Sequence, residues 1–262
     1  GTSVISDRNG QVIFSTDGFS VYNKLNEDIT PVGPPPGIGG QNTSSQSALI
    51  IPVPGDETLY YIFTTQEIYG TGTFELRYSL FDLKLNNGLG GLAEYNQLLF
   101  SPSTERITGN ANWLIAHEYG NNSFRAYRIS STGISNPIVS DIGSDHAMTT
   151  EQNGEGYMKL GAQNRLVVAL STPGVSNVVE VFDFVDSTGS VTNFRTADVG
   201  NPAGQVYGVE LSPAGNKLFA TLKDAATSTL YEFGFDTLGI PYFQQSVPQP
   251  AELGAIQIVS DG

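Results

Sequence analysis

Two stretches decide the fold: Gly156-Tyr-Met-Lys-Leu-Gly-Ala-Gln-Asn-Arg-Leu-Val-Val-Ala169 and Gly208-Val-Glu-Leu-Ser-Pro-Ala-Gly-Asn-Lys-Leu-Phe-Ala-Thr221. Each reads as a short strand, a tight polar turn and a second, apolar strand. In both, the leading Gly is followed ten residues later by the Leu that opens the second strand, Leu166 and Leu218. Gly208 follows Gly156 by 52 residues, and Gly254 follows Gly208 by 46. From Gly254 to Val259 the chain starts the unit again, ending on Ser260-Asp-Gly262. A recurrence of this length is the mark of a repeat architecture.

Weaker copies lie upstream. Ser3 to Phe14 turns at Asn9-Gly10, Ala48 to Phe63 at Pro54-Gly55, and Glu105 to Ala116 near Asn110. Third strands follow with alternating character: Phe124 to Ile129, Val179 to Phe184 and Leu230 to Phe235. A period of two puts one strand face in a core and the other toward solvent. Turns follow at Thr132-Gly133, Thr188-Gly189 and Leu238-Gly239, then fourth strands such as Ile134 to Ser140 and Val191 to Thr196. Four antiparallel strands per roughly 50 residues make the blade of a β-propeller. A β-sandwich is the alternative, but it gives no reason for the recurring unit.

Composition narrows the rest. The 262 residues carry 12 Lys and Arg against 26 Asp and Glu, a formal charge of −14, which argues against a nucleic-acid partner, since phosphate binding needs cationic side chains. With 30 Gly and 14 Pro, long helices are poor candidates for the bulk of the chain. No Cys is present, which removes disulfides, thiolate metal sites and thiol catalysis together. No run approaches the roughly 18 apolar residues of a membrane helix, so membrane insertion is not expected. Five units read as complete and a sixth has only its first strand. The expectation is a single propeller domain over residues 1–262, truncated at both ends and belonging to a six- or seven-bladed ring. Closure of a five-bladed ring by Gly254 to Val259 is the alternative.

An ordered set of residues resembles the propeller-like N-terminal region of large secreted, type IX-sorted bacterial surface proteins associated with gliding motility. The set includes Ile5-Ser-Asp-Arg-Asn-Gly10, Thr16-Asp-Gly18, Val21-Tyr-Asn23, Ser44-Ser-Gln-Ser47 and Tyr60-Tyr-Ile-Phe-Thr64. It continues through Leu76-Arg-Tyr-Ser79, Gly88-Leu-Gly90, Trp113, His117, Ala126-Tyr127, Val181-Phe-Asp-Phe184 and Tyr207-Gly-Val-Glu210. Two departures stand out: a short segment between Thr108 and Trp113, and Gly161-Ala-Gln-Asn164 in place of a Ser-Pro-Asp-Gly turn. The resemblance implies secretion and surface display, with downstream domains of the same parent protein as partners. It implies no reaction.

Candidate chemistry is sparse. His117, near the end of an apolar strand, could ligate a metal or act as a base, but reads more simply as a hydrogen-bonded structural residue. His146, in Asp145-His146-Ala147, reads as a solvent-exposed loop residue. Gln46, Arg106, Glu155, Gln205 and Glu252 lie near the innermost strands, where some propeller hydrolases hold a divalent metal through oxygen ligands. The simpler reading is solvated loop residues. Asp17-Gly18 and Asp7-Arg-Asn-Gly10 lack the continued spacing of a calcium loop and read as turns. Pro34-Pro35-Pro36-Gly37 reads as a stiff loop rather than a polyproline ligand. The expectation is a non-enzymatic secreted or cell-surface domain that binds a surface glycan or protein, with no cofactor and no assigned catalytic or metal residue. A metal-dependent hydrolase or lactonase at a central channel, and an architectural spacer, are the alternatives.

Overall fold

Turn chemistry sets the first strand boundaries. The Asp7 carboxylate accepts the N–H groups of Asn9 and Gln11 at 2.8 and 2.9 Å, while Gly10 takes φ +78°. The turn separates β1 (Ser3–Ser6) from β2 (Val12–Thr16), and β3 (Val21–Asn23) completes an antiparallel sheet. This computed structural model describes residues 1–69, 72–146, 151–225, 227–236, 243–248 and 253–257.

Four larger sheets follow. The second holds β4 (Ala48–Pro52), β5 (Leu59–Thr65), β6 (Leu76–Asp82) and β7 (Gly91–Phe100), in chain order. The third holds β8 (Ser103–Gly109), β9 (Trp113–Glu118), β10 (Asn121–Ser130) and β11 (Gly133–Ile134), with β12 (Ile138–His146) also paired to β10. The fourth is β13 (Met158–Leu160), β14 (Arg165–Thr172), β15 (Ser176–Val185) and β16 (Ser190–Asp198). The fifth is β17 (Gln205–Leu211), β18 (Lys217–Lys223), β19 (Thr227–Gly234) and β20 (Phe243–Pro248). Each is an antiparallel meander, as expected of a blade. Among the described residues, helical structure is confined to turns of three or four residues, and no helix is long and apolar enough to cross a membrane.

The predicted hairpin turns at Asn9-Gly10, Pro54-Gly55, Asn110 and Thr188-Gly189 fall between paired strands. Leu238-Gly239 lies outside the described residues. Four details differ from the sequence reading. The first sheet has three strands rather than four, because the chain after β3 enters a segment with Pro31, Pro34, Pro35 and Pro36, which have no N–H to donate. The expected strand from Ile134 to Ser140 is split at Asn136-Pro137 into β11 and β12, for the same reason. The closing unit is not a strand where it is described: residues 253–257 are irregular, and the remainder lies outside the described residues. Gly254 nevertheless accepts a hydrogen bond from Thr221 Oγ1 at 2.6 Å, and Thr221 Oγ1 accepts one from the Gly208 N–H at 2.9 Å. A Cβ on Gly208 would sit 2.6 Å from the Gly254 carbonyl oxygen, so the repeat Gly marks a close backbone approach.

The fourth difference concerns β15. Its alternation predicts one wet face, yet Val179, Glu180, Val181 and Phe182 are all fully buried. The chain packs as two compact units, residues 1–118 with 127–137, and 119–126 with 138–262. In the second unit Val179 and Val181 join a core with Val209, Leu218, Ala220 and Phe233. Phe182 on the opposite face meets Phe124 edge-on at 4.9 Å. A strand covered on both sides reads as continuous burial whatever its pattern.

In the first unit, Phe14 stacks on Phe81 at 4.0 Å with Tyr60 edge-on at 5.6 Å, and Ile38 and Ile62 complete that core. A second core gathers Ile51, Phe63, Leu76, Ile107, Leu114 and Tyr127. Ile38 is notable because it comes from the proline-rich segment, which it pins to the sheets.

Candidate functional site

The residues singled out in the sequence fall in both units, and each is described within its own unit. His117 is fully buried in β9, and its Nδ1 lies 2.7 Å from the Glu118 carbonyl oxygen, a structural placement. His146 is the clearest correction. It is fully buried at the end of β12, not exposed in a loop, and its Nε2 lies 2.8 Å from Glu180 Oε2. The polar run Ser144-Asp145-His146 resembles a loop, but this strand covers the buried face of β15 that carries Glu180. Ser144 N–H supplies the other carboxylate oxygen at 2.9 Å.

Four of the five channel candidates lie among the described residues. Arg106 and Glu155 are buried rather than solvated, and Gln205 Nε2 donates to Glu155 Oε2 at 2.7 Å. Gln46 and Arg106 belong to the first unit, Glu155 and Gln205 to the second, and Glu252 lies outside the described residues. Among the described residues, no group of three or more His, Asp and Glu side chains could hold a metal. Asp17 Oδ1 accepts the N–H groups of Phe19 and Ser20 at 2.9 and 2.7 Å, which makes Asp17-Gly18 a turn.

The site with structure suited to binding is a cleft of about 550 Å³ in the first unit. Two connecting stretches build it, residues 24–47 between β3 and β4, and residues 66–69 with 72–75 between β5 and β6. Phe19, Pro35, Pro36 and Tyr69 line it with rings, and Gln41, Gln66, Glu67, Glu75, Arg77 and Asn96 supply the polar lining. Phe19 is 39% exposed and Tyr69 49%. A second hollow of about 630 Å³ shares Pro35, Arg77 and Asn96, and adds Tyr95 and Gln97. Both volumes fall within the roughly 300–1,000 Å³ typical of ligand clefts.

The walls are fixed by hydrogen bonds. Ile38 N–H donates to the Phe19 carbonyl at 3.1 Å, Gly40 N–H to Gly18 at 3.1 Å, and Gln41 N–H to Thr65 at 3.1 Å. Thr64 Oγ1 donates to the Ile38 carbonyl at 3.1 Å. Beneath both segments lies Glu105, 1% exposed on β8. Its Oε2 accepts the Ser45 N–H at 2.6 Å and its Oε1 the Ile68 N–H at 3.1 Å, so one carboxylate clamps both walls. A carboxylate that accepts backbone N–H groups makes strong, directional bonds.

The lining side chains are held as well. Gln41 Oε1 accepts the Glu67 N–H at 2.8 Å, and Glu67 accepts from Gln41 Nε2 at 3.3 Å and Thr43 Oγ1 at 2.5 Å. Gln66 Oε1 accepts the Glu75 N–H at 3.1 Å. Arg77 donates through Nε to Glu75 Oε2 at 2.7 Å and through its terminal nitrogens to Glu75 and to the Asn96 carbonyl at 2.7 Å. Sequence reasoning missed this site. The available signal is the long break in the repeat between Asn23 and Ala48, where Pro34-Pro35-Pro36 reads as a stiff loop.

No protein-family model matches the sequence, and no curated protein matches it. Among solved structures, the chain is similar to the Cps50 (Swd1) β-propeller domain of Myceliophteria thermophila. That match has a TM-score of 0.54 and 12% identity over 97% of this chain and 75% of that one. It is also similar to a functionally unknown protein from Desulfotomaculum acetoxidans, at 0.53 and 15% over 92% and 70%. The chain spans only 50% of a Kuenenia stuttgartiensis hydrazine synthase chain that it resembles at 0.47 and 12% identity over 78% of its own length. The fold is a β-propeller. At these identities the likeness carries no chemistry with it.

Proposed function

We propose that this chain is a non-catalytic binding domain that acts outside the cell, and that the first-unit cleft is its binding site. The observation that carries the reading is the clamp at Glu105. A buried carboxylate holds two connecting segments so that exposed rings and oriented polar side chains face one hollow. Ordering the walls before a ligand arrives lowers the entropic cost of binding. The cleft's two carboxylates are tied to Arg77, Gln41 and Thr43, an arrangement that suits recognition better than proton transfer. Secretion and surface display rest on the sequence resemblance to type IX-sorted surface proteins, and on that alone.

The test uses the purified chain with Phe19→Ala and Tyr69→Ala, each checked for an unchanged melting temperature. Binding to isolated cell-envelope fractions, polysaccharide and protein kept separate, should be retained by the unsubstituted chain and weakened in both variants. Ester or lactone hydrolysis that depends on Glu155 or Gln205 would contradict the non-catalytic reading.

A further inference from the structure

We infer that the cleft takes a neutral oligosaccharide, its sugar rings laid on Tyr69 and Phe19 and its hydroxyls bonded to the fixed amides and carboxylates. This rests on the binding reading above. Three observations carry it beyond that reading.

The first is the mixture of donors and acceptors. With Gln66 Oε1 occupied by the Glu75 N–H, no hydrogen bond within the described residues uses the Gln66 NH2. Glu75 Oε1 is likewise unused, since Arg77 bonds Oε2. Fixed donors beside fixed acceptors match a ligand whose every hydroxyl both donates and accepts. Half-exposed rings beside them, Phe19 and Tyr69, suit the apolar C–H face of a sugar, because a ring offers large contact area at little entropic cost.

The second is charge. Arg77 is the one cationic side chain among the lining residues, and it is already engaged by Glu75 and the Asn96 carbonyl. Glu67 and Glu75 leave the cleft net negative on a chain of charge −14. An anionic ligand would meet repulsion with no cation to receive it.

The third separates a glycan from a peptide. An extended peptide binds through main-chain pairing. Here four N–H groups of the two connecting segments are already paired within the chain: Gly37 with Pro31, Gly40 with Gly18, Gln41 with Thr65 and Gln66 with Glu75. The adjoining hollow with Tyr95, 42% exposed, extends the platform beyond one sugar ring.

The test is titration calorimetry of the full chain with three sets of probes. The neutral set is laminarihexaose, cellohexaose and mannohexaose, the acidic set is polygalacturonate and alginate oligomers, and the third is a peptide library. Saturable binding to a neutral probe is expected, about tenfold weaker in Tyr69→Ala and largely restored in Tyr69→Phe. Binding of an acidic probe or a peptide alone, lost in Tyr69→Ala, would overturn the neutral-sugar assignment and leave the cleft reading intact. Binding that is indifferent to Tyr69→Ala and Phe19→Ala, or no binding by any probe, would overturn both.

Discussion

Oε1 of Glu105 accepts the backbone N–H of Ile68 at 3.1 Å, deep beneath the first-unit cleft. The other oxygen of the same carboxylate accepts the N–H of Ser45 at 2.6 Å. Both segments that form the cleft are therefore tied to one side chain on β8. Glu105→Gln replaces one acceptor with an NH2 group, which leaves a buried N–H facing a donor. Loss of about 1–3 kcal/mol of stability is expected, read as a lower denaturation midpoint at unchanged m-value. The cleft geometry should loosen with it, so affinity for the ligand should fall even below the unfolding transition.

A methyl group on Gly39 would lie 2.2 Å from Oδ1 of Asn96 and 2.4 Å from Cδ of Arg77. Gly39 also holds φ +91°, a conformation that other residues adopt only under strain. Gly39→Ala should push apart the wall and floor of the cleft and cost about 1–3 kcal/mol. Ligand binding should weaken more than in Gly88→Ala, a control where a Cβ meets nothing within 4 Å. Parallel thermal melts and titrations check the comparison.

His146 and Glu180 share a fully buried hydrogen bond at 2.8 Å in the second unit. Glu180→Leu removes the acceptor of both His146 Nε2 and the Ser144 N–H, so a loss of about 2–4 kcal/mol is expected. His146→Leu combined with Glu180→Leu should cost less than the two single changes summed, because each single change strands a buried polar partner. Urea unfolding of the four proteins in the cycle measures the difference. Additive losses would show that the two side chains act independently.

Burial pushes the phenol pKa values of Tyr60, Tyr61, Tyr78, Tyr157 and Tyr231 above the usual 10.0. Desolvation is the largest cause for each, and for Tyr157 the neighbouring Tyr207 adds to it. A folded-state pKa raised above the unfolded value gives stability that is complete below about pH 10 and lost as pH rises through the folded value. Alkaline titration should therefore show delayed phenolate absorbance, appearing together with loss of tertiary circular dichroism. Half-ionisation of every tyrosine at pH 10 with the fold intact, the behaviour of unperturbed phenols, would contradict the burial of these rings.

The blades were legible because hairpin turns announce themselves. Asn9-Gly10, Pro54-Gly55 and Thr188-Gly189 each need a positive φ at the Gly, and each falls between paired strands. The buried carboxylates were not legible, since Glu105 and Glu180 alternate with strand residues in the way exposed ones do. What buries Glu180 is β12 lying across its face, a tertiary event with no local mark in Ser144-Asp145-His146. The cleft escaped for a related reason. Its residues come from Phe19, the 24–47 segment, residues 66–69 with 72–75, Arg77 and Asn96, and chain order gives no sign that they meet.

The most direct measurement is hydrogen–deuterium exchange of the full chain with and without a saturating neutral oligosaccharide. Slowed exchange is expected, confined to the backbone of residues 35–41, 66–69, 72–77 and 95–97, with the second unit unchanged. Protection placed on the second unit, or absent from these segments at saturation, would contradict the claim that this cleft is where the protein binds.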